Sequence, residues 1–407
     1  MEKLTVRGGR PLGGTVRVSG SKNAALPLIF ATVLTESVCV IENVPRIRDV
    51  EISLEILSSM GAQVRWEKRG SLAICTENMR LAAPPEHLVC SLRASTYLMG
   101  AMLGRFGRAY VQNFGGCNFS PRPIDMHLFA AKALGADLEN NDILAPHGLR
   151  GAVIAFDKVS VGATVNALLM AVRAEGRTVI ENAAAEPHVE NLIVFLRSMG
   201  AAISRLGSAL VVDGSALRGG RAAVVGDMIE GGTYLLSGLA TGGTVSVEGC
   251  DAVHLSSFLS ILRRGGAFVK TEGGRITVSG RLIAPIMLKT APYPGFPTDL
   301  QPQTALIGAL HNGAVVTETV FPGRFGYLEA LSDMGLSYVR SGSGAYLFPS
   351  RLYAGSVMAE DLRGGAALVL AALSAEGESV IYGISAVLRG YENIVEKFSS
   401  LGANINF

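Results

Sequence analysis

LSSMGAQV, residues Leu57–Val64, sets a glycine and an alanine between the end of an apolar helical pattern and the start of an alternating one. A glycine just past a helix-period segment marks a left-handed C-terminal cap, and alternation after it marks a half-buried strand. The phrase returns as AKALGADL (131–138), LRSMGAAI (196–203), LRRGGAFV (262–269), LSDMGLSY (331–338) and FSSLGANI (398–405). Its central glycines, Gly61, Gly135, Gly200, Gly266, Gly335 and Gly402, recur every 65 to 74 residues. Self-similarity held in register six times is the signature of a repeated supersecondary unit.

Around each glycine the same order is expected. An apolar helix such as GATVNALLMAVRAEG comes first, then an alternating strand such as RTVIENA, GTVSVEG or ESVIYGI. A polar loop, a second helix ending on the glycine phrase and two more strands follow. The sixth unit runs out after one strand, NINF, while LTVRGG and GTVRVSGSKN stand unused at the other terminus. The first ~20 residues are therefore expected to complete the last unit. Three units per domain predict an α/β protein with one domain over 22–225 and a second over 1–21 and 226–407. The chain then crosses between domains twice, which predicts a hinge and a cleft.

Bulk properties narrow the function. The 407 residues suffice for two cores, and 36 basic against 34 acidic residues give no global field for nucleic acid or a charged membrane. The apolar run Ala24–Leu34 is too short to span a bilayer, and MEKLTVRGG is not a signal peptide. Five cysteines without a CxxC pair suit a reducing cytoplasm, and six histidines show no metal-ligand spacing. No protein-held metal is expected.

Polar residues collect at two stations of the repeat. The first is the start of each first helix: SGSKNAA, SLRASTY, DKVSVGA, DMIEGGT, FPTDLQPQ and EDLRGGA. A helix N-terminus attracts anions, so Lys22, Arg93, Lys158 and Arg363 are electrostatically misplaced there by about 0.3–1 kcal/mol each. Four equivalent misplacements point to a bound polyanion. The second station, between the strand and the second helix, carries Arg122, Arg324 and Arg389, whose forks suit carboxylate and phosphate. Asp299, in PYPGFPTDLQ, is either a helix cap or an ionised base among these cations. Cys117, in NFGGCNFSPRPIDMH, follows two glycines near Arg122, which favours its thiolate. His127 and His188 are read as structural.

SGSKNAALP, LRAS, GGCNFSPRPIDMH, DKVSVGAT, IENAAAEP, FPTDLQPQ, TETVFPGRF and EDLRGGAALVLA occur in that order over essentially the whole chain. In these motifs the sequence resembles the enolpyruvyl transferases, and among them the UDP-N-acetylglucosamine 1-carboxyvinyltransferase family of peptidoglycan synthesis. The resemblance implies the enolpyruvyl transferase fold, two inside-out α/β barrel domains of three units each. It implies phosphoenolpyruvate and UDP-N-acetylglucosamine as substrates, no cofactor, and inhibition by an epoxide of the fosfomycin kind. Carried onto these residues, it makes Cys117 the thiol that protonates the phosphoenolpyruvate methylene, and Asp299 the base for the attacking hydroxyl. Lys22 and Asn23 would contact both substrates, with Arg122, Arg363 and Arg389 on phosphate and carboxylate. Arg93, Arg122, Pro123, Ile124, Asp125, Met126, Lys158, Val159, Ser160, Val161, Asp299 and Val320 would line the nucleotide-sugar site, with Arg324 nearby.

The chain departs from the family pattern at several positions. Asn118, Phe119 and Ser120 follow the cysteine where small, aliphatic and glycine residues are usual. Met228 stands for an arginine, Leu388 for an aspartate, His188 for a glutamate, and Pro322 with Gly323 for an acid–amide pair. These leave open an acceptor such as another uridine nucleotide. Shikimate 3-phosphate is a further alternative, argued against by GGC and DKVSVGAT. An idle nucleotide-sugar-binding paralogue is the third, argued against by the intact Lys22, Cys117, Asp299 and Arg363.

Overall fold

The computed structural model describes residues 2–68, 70–115 and 123–407. The expectations placed on Cys117, Asn118, Phe119, Ser120 and Arg122 lie outside the described residues. Two compact units form, one from residues 1–19 and 226–407, the other from 20–225.

All six repeat glycines adopt the left-handed backbone, with φ of +101° at Gly61, +91° at Gly135, +106° at Gly200, +101° at Gly266, +105° at Gly335 and +96° at Gly402. Any side chain there would be strained, so the phrase is fixed by backbone geometry. Each glycine ends a second helix; the first five lead into a β-hairpin, and Gly402 leads into the single strand Asn404–Asn406. After Gly200, for example, Ala202–Leu206 pairs antiparallel with Ala209–Asp213, which pairs with Arg177–Glu181.

The first helices are apolar on every side, and a helix of that kind must be wholly enclosed. Ala163–Ala171 of the helix Val161–Ala171, and Leu362–Leu373 of the helix Leu362–Ser374, are buried throughout. Helices thus fill each unit and small sheets cover it, the inside-out arrangement. Close helix contact needs missing side chains. A Cβ on Gly100 would lie 2.4 Å from the Asn166 Oδ1, and one on Gly104 would lie 2.7 Å from the Leu169 carbonyl oxygen.

Among the described residues, the strand that follows the first helix is internal in five of the six sheets; in the second repeat Arg108–Tyr110 is an edge strand and Asp142–Leu144 is central. In the third, fifth and sixth repeats, the strand before that helix pairs parallel with the strand after it. The two strands at the chain crossings behave differently. Arg221–Ala223, just before the fourth repeat, pairs parallel with Cys39–Glu42 of the first. Gly13–Arg17, just before the first repeat, pairs parallel with Thr244–Glu248 of the fourth. This corrects one expectation about the N-terminal residues. Lys3–Gly8 does join the sixth sheet, between Gly377–Tyr382 and Asn404–Asn406, but Gly13–Arg17 does not. The parallel edge of the sixth sheet is already held by Ser356–Met358, whereas the fourth sheet has an open edge because its own preceding strand went to the first. Among the described residues no helix is long and apolar enough to cross a membrane.

Candidate active site

In the unit containing residues 226–407, three of the residues singled out by sequence converge. Asp361 caps the helix Leu362–Ser374 by accepting hydrogen bonds from the backbone N–H groups of Arg363 at 2.8 Å and Gly364 at 3.0 Å. This cap fixes where the Arg363 side chain begins. Its guanidinium donates to Asp299 Oδ2 through Nη2 at 2.8 Å and Nε at 3.1 Å, a fork on one carboxylate oxygen. Arg324 Nη1 donates to the other oxygen, Oδ1, at 2.7 Å. The two arginine side chains are 5% and 6% exposed, while Asp299 retains 21%, so the acid is the open member of the trio.

Asp299 is not the cap of the helix Gln301–His311, whose N-cap position is Leu300. It lies in the 3-10 turn Thr298–Leu300 with its carboxylate turned to the guanidinium pair. Burial alone would push its pKa up, but the charges of Arg363 and Arg324 win and hold it well below the usual carboxylate range. Burial likewise works against the charge on Arg363, and Asp299 reverses that effect to strengthen its hold on the proton.

Behind Arg324 stands an acid that sequence reasoning missed. Glu318 is fully buried and accepts from Thr290 Oγ1 at 2.7 Å, the Val320 and Phe321 N–H groups at 2.9 Å, and Thr298 Oγ1 at 2.9 Å. Thr298 Oγ1 in turn accepts from Arg324 Nη1 at 2.9 Å. The substituted Pro322 and Gly323 form a tight turn in which the Arg324 N–H bonds the Phe321 carbonyl at 2.9 Å. Arg324 is thus delivered to Asp299 despite the changed residues. Met228 and Leu388, two other departures, pack against the apolar core of this unit. Arg389 follows the short helix Ser385–Leu388 and is half-buried.

In the unit spanning 20–225, Lys22 opens the helix Lys22–Ala31 and its Nζ lies 3.1 Å from Oδ2 of Asp49, which is 2% exposed. Asn23 follows on the same first turn. Arg93 opens the short turn leading into the helix Thr96–Phe106, and burial weakens its hold on its proton. Arg93 and Asp125 both act on His127, which is 5% exposed. Burial, then the Arg93 charge, lowers the His127 pKa to about 4, with Asp125 opposing. The ring is neutral at pH 7, so its Nδ1 accepts from the Asn166 amide at 2.8 Å while Asn166 Oδ1 accepts from the Gly100 N–H at 2.7 Å. His127 therefore ties three helices together. Ser160 caps the helix Val161–Ala171 by accepting from Ala163 N at 3.3 Å, while Lys158 and Val159 just before it are exposed. Pro123 and Asp125 are exposed, Ile124 and Met126 half-buried, at the start of the helix Asp125–Ala133. His188 lies half-buried in the helix Pro187–Ser198.

The other cysteines differ among themselves. Burial pushes the Cys39 thiol up to about 11 and the Cys250 thiol up to about 12, so neither is nucleophilic at neutral pH. Cys90 is exposed.

The profile of EPSP synthase (3-phosphoshikimate 1-carboxyvinyltransferase) matches residues 6–398. UDP-N-acetylglucosamine 1-carboxyvinyltransferase 2 of Bacillus anthracis is 45% identical over 413 residues, covering 100% of this chain and 96% of the relative. The protein of the same name from Bacillus subtilis (strain 168) is 42% identical over 414 residues, with the same coverage. Among solved structures, the enolpyruvyl transferase NikO from Streptomyces tendae superposes with a TM-score of 0.89 at 26% identity, covering 99% of this chain and 98% of that one. EPSP synthase from Acinetobacter baumannii gives 0.75 at 18% identity over the full length of both, a likeness of fold.

Proposed function

The chain belongs to the enolpyruvyl transferase family, in company with the UDP-N-acetylglucosamine 1-carboxyvinyltransferases, and from that premise we propose its reaction and the residues that perform it. It moves the enolpyruvyl group of phosphoenolpyruvate onto the 3′-hydroxyl of UDP-N-acetylglucosamine and releases phosphate, the first committed step of peptidoglycan precursor synthesis. The observation that carries the site assignment is the Asp299 carboxylate between the Arg324 and Arg363 guanidiniums.

In the addition step, a proton goes to the methylene carbon of phosphoenolpyruvate and the sugar hydroxyl oxygen bonds to the neighbouring carbon. Asp299 takes the hydroxyl proton. In the elimination step, the bond to the phosphate oxygen breaks and a proton leaves the new methyl group, restoring the double bond. Fixed cations neutralise the departing phosphate, for which Arg363, Arg324, Arg389, Arg122 and Lys22 are suited. Cys117, by the family resemblance, is the proton donor and the target of a fosfomycin-type epoxide. Asn23, Arg93, residues 122–126 and 158–161, and Val320 hold the nucleotide sugar. We place the enzyme in the cytoplasm, where a catalytic thiol stays reduced.

Phosphate release, with mass analysis of the product, should occur with UDP-N-acetylglucosamine and not with shikimate 3-phosphate. Release with shikimate 3-phosphate alone would overturn the acceptor assignment. Asp299→Ala should lower turnover by about 10²–10⁴-fold. Cys117→Asp should keep substantial transfer, since a carboxylic acid can carry the proton, whereas the serine hydroxyl of Cys117→Ser is too weak an acid. Peptide mapping after epoxide treatment should find the label on Cys117 and spare the exposed Cys90.

A further inference from the structure

The Asp299 carboxylate occupies the two guanidiniums in the way a ligand would. Arg363 grips one oxygen with two N–H groups and Arg324 grips the other with one. These are charge-assisted bonds of the type that binds carboxylate and phosphate generally. Asp227 also acts on Arg363, and the buried Glu318 stands behind Arg324 through Thr298, so the guanidiniums are held by several acids, of which Asp299 is the one that meets both. The exposures decide which member can yield: Asp299 is the open one at 21%, against 5% and 6% for the arginines. Arg324 also has Thr298 Oγ1 at 2.9 Å, backed by Glu318, and so stays aimed when the acid leaves. The same bonds make Asp299 a weak base, because a carboxylate with both oxygens in charge-assisted bonds gains little by accepting a proton.

We propose that Asp299 is a built-in competitor for the substrate anion: it fills the Arg324–Arg363 pair in the free protein, and an arriving oxyanion displaces it and so frees it to act as base. The proposal rests on the assigned function only for the identity of the substrate. The oxyanion is the phosphate or the carboxylate of phosphoenolpyruvate, and the two are separated by the probes used. Binding of the anion and strengthening of the base are then one event, so the hydroxyl proton is taken only when its reaction partner is in place.

The test is binding, not turnover. Full-length wild type and Asp299→Asn are titrated with inorganic phosphate and, separately, with pyruvate, by calorimetry and by thermal melting. Removing the competitor should tighten phosphate, pyruvate or both by at least about tenfold, although it removes the proposed base. Unchanged or weaker binding of both overturns the proposal. If the asparagine variant does not fold, Asp299→Ala is read in the same way. A second measurement uses wild type alone: sulfate should bind with proton uptake that grows as pH falls toward about 4, because the freed acid recovers its ordinary pKa. Sulfate binding without proton uptake also overturns it. Tighter phosphate in the variant, joined to no phosphate release by wild type, would sink the assigned reaction and leave the competition standing.

Discussion

Glu318 offers a sharp test of how the site is held. Its carboxylate is fully buried and satisfies two threonine hydroxyls and two backbone N–H groups. Glu318→Ala strands all four donors, and a buried network broken at one member costs at least about 3–5 kcal/mol. Glu318→Gln is more informative. Its remaining carbonyl can still accept at the Oε1 position from Thr290, Val320 and Phe321, but an amide N–H group now faces Thr298 at the Oε2 position. Two donors then point at Thr298 Oγ1, since Arg324 already donates there, and the hydroxyl proton loses its acceptor. That single mismatch costs about 1–3 kcal/mol, and it falls on the group that aims Arg324. Urea unfolding followed by circular dichroism measures the stability loss, and calorimetry measures phosphate affinity, expected to fall by about tenfold. Thr298→Val should produce the same deficit, and the double variant should be no worse than either single one. Wild-type midpoint and phosphate affinity in Glu318→Gln would refute the relay from Glu318 through Thr298 to Arg324.

Three further outcomes follow from the unit spanning residues 20–225. His127 stays neutral in the folded state down to about 4 but takes a proton near 6.5 when unfolded, so stability should be lost as pH falls from 6.5 toward 4, by on the order of 3 kcal/mol; urea midpoints that favour wild type over His127→Gln by as much at pH 4.5 as at pH 7 would contradict this. Lys22→Met removes the cation 3.1 Å from the buried Asp49 carboxylate and should destabilise by about 1–3 kcal/mol in urea unfolding, with added Asp49→Asn recovering most of it. Gly100→Ala puts a methyl group 2.4 Å from Asn166 Oδ1 and should cost about 1–3 kcal/mol in chemical denaturation, whereas Gly135→Ala meets no neighbour within 4 Å and should cost only its backbone strain.

What could be read from the sequence follows from what leaves a local mark. A left-handed residue at a helix end nearly requires glycine, so Gly61, Gly135, Gly200, Gly266, Gly335 and Gly402 announce the repeat directly. All-round burial leaves a similar mark in the apolar helices. The exchange of Gly13–Arg17 and Arg221–Ala223 between repeats leaves none, because any alternating strand fits the parallel edge of any of these sheets, and the choice depends on which edge is still open. The site divides in the same way. Lys22 and Arg363 stand out because cations at helix starts oppose the helix dipole, and a residue that opposes its local field needs another reason to be there. Asp49 and Glu318 escaped notice for the converse reason. An acid in the first turn of Arg48–Ser59 suits the dipole, and an acid between two threonines after a strand passes for an exposed loop residue. Both are buried acids whose place is set by partners distant in sequence, the Lys22 ammonium for one and the Thr290 and Thr298 hydroxyls for the other. Charges that violate a local rule can be found in one dimension. Charges that satisfy it while serving a distant partner become visible only once the chain has folded.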